Sequence, residues 1–317
     1  MASLIQQVIG HEEQKHMLEA AIENKSLPHA MVFSGPAGIG KMKLAVALAQ
    51  SLVCEEPVSA KACGHCGACI RVEKNQSESV RLVSPDGLQI KISQVREILD
   101  FLSLASDSQK RVIIIDHANQ MNPQASNALL KTLEEPPQDV YFILTTTDVR
   151  LLMPTIRSRS QIISFKALTL HNLQRINPGL SSWMYKSSRG QAGKLLDFSE
   201  GETLERRNSD LGFFEHFWSN KNFILETDIK EYVKDRASAG AVLKNWYTFT
   251  RDLIVLMQGA REQILNSDQI TTLIKLDFIP AEKLYDFSSA LLQAMQDIDK
   301  LDMTLLFESL WVKHARA

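Results

Sequence analysis

The sequence is short of several things, and each shortage excludes something. Its 317 residues include four cysteines. All of them fall between Cys54 and Cys69, so disulfides cannot staple the rest of the chain. In a reducing compartment such clustering argues for metal ligands. No apolar run is long enough to span a bilayer, so no membrane partner is expected. Met1 to Gly10 lacks a basic stretch followed by a continuous apolar core. A secretory signal is therefore not expected, and the default compartment is cytoplasmic. Charge of one sign is also missing: 35 Lys and Arg against 37 Asp and Glu give a formal net charge of -2. Nucleic-acid-binding domains usually carry a strong basic excess, so electrostatics does not mark the whole molecule as one. Internal repeats and low-complexity linkers are absent as well.

What remains is ordinary for a soluble globular chain of two or three domains, with 44% apolar and 23% charged residues. Ile9 to Asn24 has the spacing of an amphipathic helix, with Leu18, Ala21 and Ile22 on one side. His29 to Ser34 is a short apolar strand, Gly35 to Gly40 a glycine-rich turn, and Lys41 to Val53 a helix. After the cysteines, Val80 to Val83 is a strand, and Ser93 is placed to cap a helix through Val95, Ile98, Leu99 and Leu102. Val112 to Ile115 is wholly apolar and ends in Asp116, the pattern of a strand buried on both faces. Asn122 and Pro123 open the next helix and Pro136 and Pro137 stop it. Val140 to Leu144 and Ile162 to Phe165 are further strands. Strands alternating with helices predict an α/β fold with a parallel sheet. Beyond Phe165 the pattern turns helical: His171 to Asp197 forms a small unit, and Thr203 to Ala317 is helical throughout.

Gly35-Pro36-Ala37-Gly38-Ile39-Gly40-Lys41 fits G-x-x-x-x-G-K between a strand and a helix, the setting a phosphate loop needs. Gly35, Gly38 and Gly40 let backbone N–H groups wrap phosphate oxygens, and Lys41 adds a charge. The next residue should offer a hydroxyl to Mg²⁺, but it is Met42, and a thioether is a poor ligand for that cation. Asp116 stands where a Walker B aspartate would, yet His117 follows it where a water-activating glutamate is usual. ATP/Mg²⁺ hydrolysis by this chain is therefore not expected. Nucleotide binding stays open, because Lys41 and the glycines remain. Cys54, Cys63, Cys66 and Cys69 supply the thiolates of a tetrahedral Zn²⁺ site. Four protein ligands leave no open position, so the Zn²⁺ would be structural, and His65 is a bystander. An iron–sulfur cluster is the alternative.

Asn127 to Pro137 reads NALLKTLEEPP, Thr145 to Asp148 follows a buried strand, and Ile156-Arg157-Ser158-Arg159-Ser160 comes next. In this order the run from Arg111 to Phe165 resembles the clamp-loader branch of the AAA+ family, with its threonine-bearing sensor 1 and SRC motif. The cysteine module after the phosphate-loop helix is also found in bacterial clamp-loader subunits. The SRC cysteine is Ser160 here, but the arginine stays. Gamma subunits keep G-K-[ST], an acidic pair after the Walker B strand, and a sensor 2 arginine. The matching positions here are Met42, His117 and Gly193.

These departures point to a clamp-loader subunit similar to gamma that is not itself an ATPase. The resemblance is carried by motifs from Val8 to Leu196. It implies an AAA+ P-loop parallel-sheet domain with a zinc module (1–166), a small helical lid (167–204) and an all-α collar (205–317). Arg159 would reach the ATP site of a neighbouring subunit in trans, with Arg157 as rival, and Thr146 and Thr147 would be remnants of sensor 1. The implied partners are the gamma/tau and delta subunits of the DNA polymerase III clamp loader, with the sliding clamp and primed DNA reached through the complex during DNA replication. Three rival readings remain: a gamma-like motor, a zinc-containing DNA-binding module with a vestigial NTPase fold, and a nucleotide kinase.

Overall fold

The computed structural model describes residues 3–103, 110–199, 201–219, 229 and 232–315. It divides into two compact units. One is Met1–Pro178 with Arg189–Lys194, and the other is Gly179–Ser188 with Leu195–Ala317.

The first unit is built on five strands: β1 Ala30–Ser34, β2 Val80–Val83, β3 Arg111–Ile115, β4 Val140–Thr146 and β5 Gln161–Ser164. All pairings are parallel, in the order β2-β3-β4-β1-β5. Parallel strands need covered faces, and the central strands comply: Val112 to Ile115 and Phe142 to Leu144 are fully buried. The helices are α1 Leu4–Gln7, α2 Glu12–Glu23, α3 Lys41–Val53, α4 Gly67–Glu73, α5 Ile92–Ser103, α6 Pro123–Glu134, α7 Pro154–Arg157 and α8 Leu170–Ile176. The register sets Ser34 beside both Thr146 and Ser164, so the carboxyl ends of β1, β4 and β5 finish level. The phosphate loop leaves from that end, and its first amide, Gly35 N–H, donates to Thr146 O at 3.2 Å.

Two helix starts differ from the sequence reading. The helix expected from Ile9 begins at Glu12, because Gly10 and His11 occupy the left-handed region with φ of 81° and 58°. Ser93 lies inside α5 and does not cap it. There Gln94 Oε1 accepts from Lys91 N–H at 2.9 Å, so a glutamine inside the first turn reaches back to the helix entrance. Asn122 does cap α6, accepting from Ala125 N–H at 2.8 Å, with Pro123 opening the helix.

The second unit is helical. Its longer helices are Gly201–Ser219, Arg236–Met257, Ala281–Asp297 and Met303–His314. Phe214, Phe217, Trp246, Phe249, Phe287 and Phe307 form its centre, with Trp246 and Phe217 ring centroids 4.7 Å apart. Leu253 and Leu291 belong to this core, Met295 and Ile298 pack against it, and Met257 is exposed. Two buried carboxylates are fully partnered, as burial demands. Asp210 accepts from Tyr232 Oη and Asn245 Nδ2, both at 2.6 Å, and Asp252 from the amides of Leu265 and Asn266. Burial, and then the neighbouring Asp210, push the Tyr232 phenol well above its ordinary pKa. Among the described residues no helix is long and apolar enough to cross a membrane.

Candidate functional site

The phosphate loop is held by its own chain. Lys41 is 8% exposed, and its Nζ donates to Gly35 O and Pro36 O, both at 2.7 Å. Gly193 N–H donates to Gly38 O at 2.9 Å, and Leu44 N–H to Gly40 O at 3.0 Å. His11 Nε2 lies 2.8 Å from Ile39 O, with its ring edge-on to Phe165. The carbonyls of Gly35, Pro36, Gly38, Ile39 and Gly40 thus all have partners within the chain. Burial pulls the Lys41 pKa down, and Asp116 works against that. Gly193 occupies the position at which the family resemblance places an arginine, and there its backbone touches the loop. A Cβ on Gly193 would stand 3.3 Å from Gly38 Cα, and one on Gly38 would stand 3.3 Å from Gly193 N.

Asp116 follows β3, and one of its carboxylate oxygens accepts from Thr145 Oγ1. That hydroxyl in turn accepts from His117 N–H at 3.1 Å. The His117 Nε2 lies 3.8 Å from the other Asp116 oxygen, on a backbone with φ of 50°. Thr146 is turned elsewhere. Its hydroxyl lies 3.2 Å from Asn119 Oδ1 and 3.0 Å from Asp148 O, and its one hydrogen serves either. Alternation along β4 sends adjacent threonines to opposite faces, so only one of the pair can meet Asp116. Sequence reasoning singled out Thr146 and Thr147, whereas Thr145 is the partner of Asp116. Strand parity holds that information, but only once the register with β3 is known.

The cysteines converge. Their four Sγ atoms lie within 4.8 Å of one another, with Cys54–Cys66 at 4.0 Å and Cys63–Cys69 at 3.9 Å. A tetrahedron with Zn–S bonds of ~2.3 Å has edges of ~3.8 Å, so the sulfurs fit one metal such as zinc. An iron–sulfur cluster puts irons and sulfides between thiolates and would spread them further. Backbone N–H groups support the sulfurs: Cys63 N–H to Cys54 at 3.2 Å, Cys66 N–H to Cys63 at 3.3 Å and Cys69 N–H to Cys66 at 3.5 Å. Burial opposes the Cys66 thiolate, yet the amides of Cys69 and Glu55 bring its pKa down to about 7. Burial pushes the Cys54 and Cys69 thiols up. Gly64 makes its turn with φ of 77°, while Gly67 opens α4 behind the Cys66 cap. His65 is exposed, its Nδ1 4.0 Å from Glu56, and it is not one of the four clustered cysteines.

Arg159 lies just beyond α7. Its Nη1 donates to Thr155 O at 3.1 Å and Ser158 Oγ at 3.3 Å, and its Nη2 pairs with Glu134 Oε1. His29, Leu133, Glu134, Ser158 and Arg159 line one shallow depression. Arg157 is exposed, with no ion pair among the described residues.

A protein-family model described as DNA polymerase III, delta subunit, matches residues 10–169. The DNA polymerase III subunit delta' of Bacillus subtilis is 29% identical over 262 residues, which cover 80% of this chain and 79% of that protein. The gamma/tau subunit of Mycobacterium tuberculosis is 37% identical over 164 residues. That match covers 51% of this chain and 28% of the relative, so the chain spans little more than a quarter of it. A DNA polymerase III gamma subunit-related protein from Thermotoga maritima has the same fold, with a TM-score of 0.57 over 95% of this chain and 98% of its own at 16% identity.

Proposed function

The chain belongs to the DNA polymerase III delta subunit family of AAA+ clamp-loader subunits, and from that premise we propose that it is a delta-prime-type stator, which assists ATP hydrolysis by a neighbour and performs none itself. The observation that carries this reading is the state of its own phosphate loop. Met42 offers no hydroxyl for Mg²⁺, His117 stands where a carboxylate is needed, and Lys41 is spent on Gly35 O and Pro36 O.

The contribution to catalysis is Arg159. An arginine entering a neighbour's site stabilises charge on the transferring phosphoryl group, worth on the order of 10³–10⁵ in rate in well-studied cases. Gamma/tau would supply the ATP site, delta the clamp-opening element, and the second, helical unit the collar that joins subunits. The assembly would load the sliding clamp onto primed DNA in the cytoplasm. Cys54, Cys63, Cys66 and Cys69 would hold Zn²⁺ as a closed structural site that fixes the segment after α3.

The test is steady-state ATP hydrolysis by the complex of this chain with its own species' gamma and delta subunits, clamp and primed DNA. Arg159→Ala should lower the rate without preventing assembly, and the chain alone should be inert. Turnover by the chain alone would refute the stator reading, and an Arg159→Ala complex at wild-type rate would refute the role of that arginine. Arg157 is the second candidate because it is exposed and carries no ion pair among the described residues. Arg157→Ala, run in parallel, should leave the rate near wild type.

A further inference from the structure

We propose that Glu134 is a positioning residue for Arg159, holding the guanidinium in the pose it presents to the neighbouring subunit. This rests on the reading of Arg159 as the residue acting in trans.

Arg159 has a long side chain on a short link between α7 and β5, a poor platform for placing a charge. Its guanidinium is nevertheless held from three directions: Glu134 on Nη2, and Thr155 O and Ser158 Oγ on Nη1. Five N–H donors are available, so Nε and the second Nη2 hydrogen remain for an incoming anion. The backbone and Ser158 contacts are local and move with Arg159. Glu134 is the only long-range anchor of the three.

The platform under Glu134 is rigid. It is the last residue of α6, whose first turn is capped by Asn122 and whose Leu129 and Leu133 are buried against the sheet. The His29 ring, at the entrance to β1, lies 3.1 Å from Leu133 O and so ties the helix end to the sheet. Pro136 and Pro137 then stiffen the exit. A glutamate at a helix carboxyl end is mildly unfavourable on its own, and a cation there is favourable. Arg159 resolves both.

The pair does little for stability. The side chains of Arg159 and Glu134 are 34% and 47% exposed, and ion pairs so open to water contribute weakly to folding. What such a pair can do is remove rotamers from an arginine that must act in one orientation. Arg157, two residues earlier and without an ion pair among the described residues, has no such constraint.

The experiment uses the reconstituted complex, with the kcat and KM of ATP hydrolysis measured for Glu134→Ala, Glu134→Gln, Arg159→Ala and the Glu134→Ala/Arg159→Ala double variant. Glu134→Ala should lower kcat by on the order of ten-fold, leaving KM and assembly unchanged, because positioning acts on the transition state. Glu134→Gln, which keeps an acceptor without the charge, should fall between. The double variant should be no slower than Arg159→Ala alone, the signature of one residue acting through the other. Normal or faster turnover by Glu134→Ala beside a slow Arg159→Ala overturns the proposal while sparing the arginine. So does a double variant whose loss is the product of the single losses. A silent Arg159→Ala removes the underlying reading instead, so the two failures are distinguishable.

Discussion

Replacing Lys41 with methionine keeps the aliphatic stem and removes only the ammonium, so it asks what that charge does when no ligand is present. In a phosphate loop poised for nucleotide the ammonium faces an empty site, and its loss costs little before ligand arrives. Here it donates to Gly35 O and Pro36 O at 2.7 Å, both short enough for charge-assisted bonds. Hydrogen bonds to a charged group contribute roughly 1.5–3 kcal/mol each. Burial works against the ammonium, as its lowered pKa records, and offsets part of this. Two carbonyls would be left without that donor, and a net loss of about 2 kcal/mol is expected. For a unit of this size each kcal/mol moves the melting temperature by roughly 2–4 °C. The drop in the absence of nucleotide should therefore be about 4–8 °C by scanning calorimetry. A Lys41→Met chain melting with wild type, or above it, would falsify the view that the loop's own carbonyls are what Lys41 serves.

Other measurements probe the remaining features. Elemental analysis should find one zinc per chain, lost in Cys69→Ser. Chelation should raise hydrogen exchange between Cys54 and Glu73 while amides of β1 and β3 stay protected. A chain purified without metal, or unchanged exchange after chelation, would count against the closed site. In an NMR titration Asp148 should ionise with a midpoint of about 2, since Arg150 holds its carboxylate below the ordinary 3.8. The native state thus binds that proton less tightly than the unfolded chain. Any stabilisation from the pair is present above 3.8 and is lost as the pH falls toward 2. Arg150→Ala removes the guanidinium but keeps the residue-150 amide, so it should return the midpoint part of the way toward 3.8, and a midpoint that stayed near 2 would show that the Arg150 side chain is not the cause.

Much of this was legible in the sequence where one residue decides one thing. The wholly apolar run Val112 to Ile115 suggested a strand covered on both faces, and Asn122-Pro123 the start of a helix, and both are found. The cysteine spacing pointed to the four sulfurs that the fold brings within 4.8 Å of one another. What was not legible depended on residues distant in sequence. Glu134 reads as part of an amphipathic helix with a proline stop, and its pairing with Arg159 requires α7 to have packed against α6. Ser93 is a good capping residue on propensity, but α5 starts at Ile92, two residues earlier than a Ser93 cap would allow, with Gln94 reaching back to the Lys91 amide. Thr145 and Thr146 are adjacent and chemically identical, and only the register of β4 with β3 assigns one of them to Asp116.

The same distinction explains how a phosphate-loop motif can persist where the groups for hydrolysis do not. Glycine in such a loop can be required for two independent reasons: backbone access to phosphate, and room for neighbouring chain. Here the second reason is sufficient. A Cβ on Gly35 would stand 2.3 Å from Phe165 O, the backbone that leaves β5. A Cβ on Gly38, where φ is +68°, would press on Gly193 from a left-handed backbone that L side chains rarely adopt. Met42 and His117 are under neither constraint, since no backbone approach depends on a hydroxyl or a carboxylate at those positions. Packing thus accounts for Gly35 and Gly38, and a backbone φ of +101° for Gly40, around which a Cβ would meet nothing, while only chemistry would call for the hydroxyl and the carboxylate. A loop that keeps its glycines and lacks the hydroxyl and the carboxylate is what the proposed non-hydrolysing role calls for.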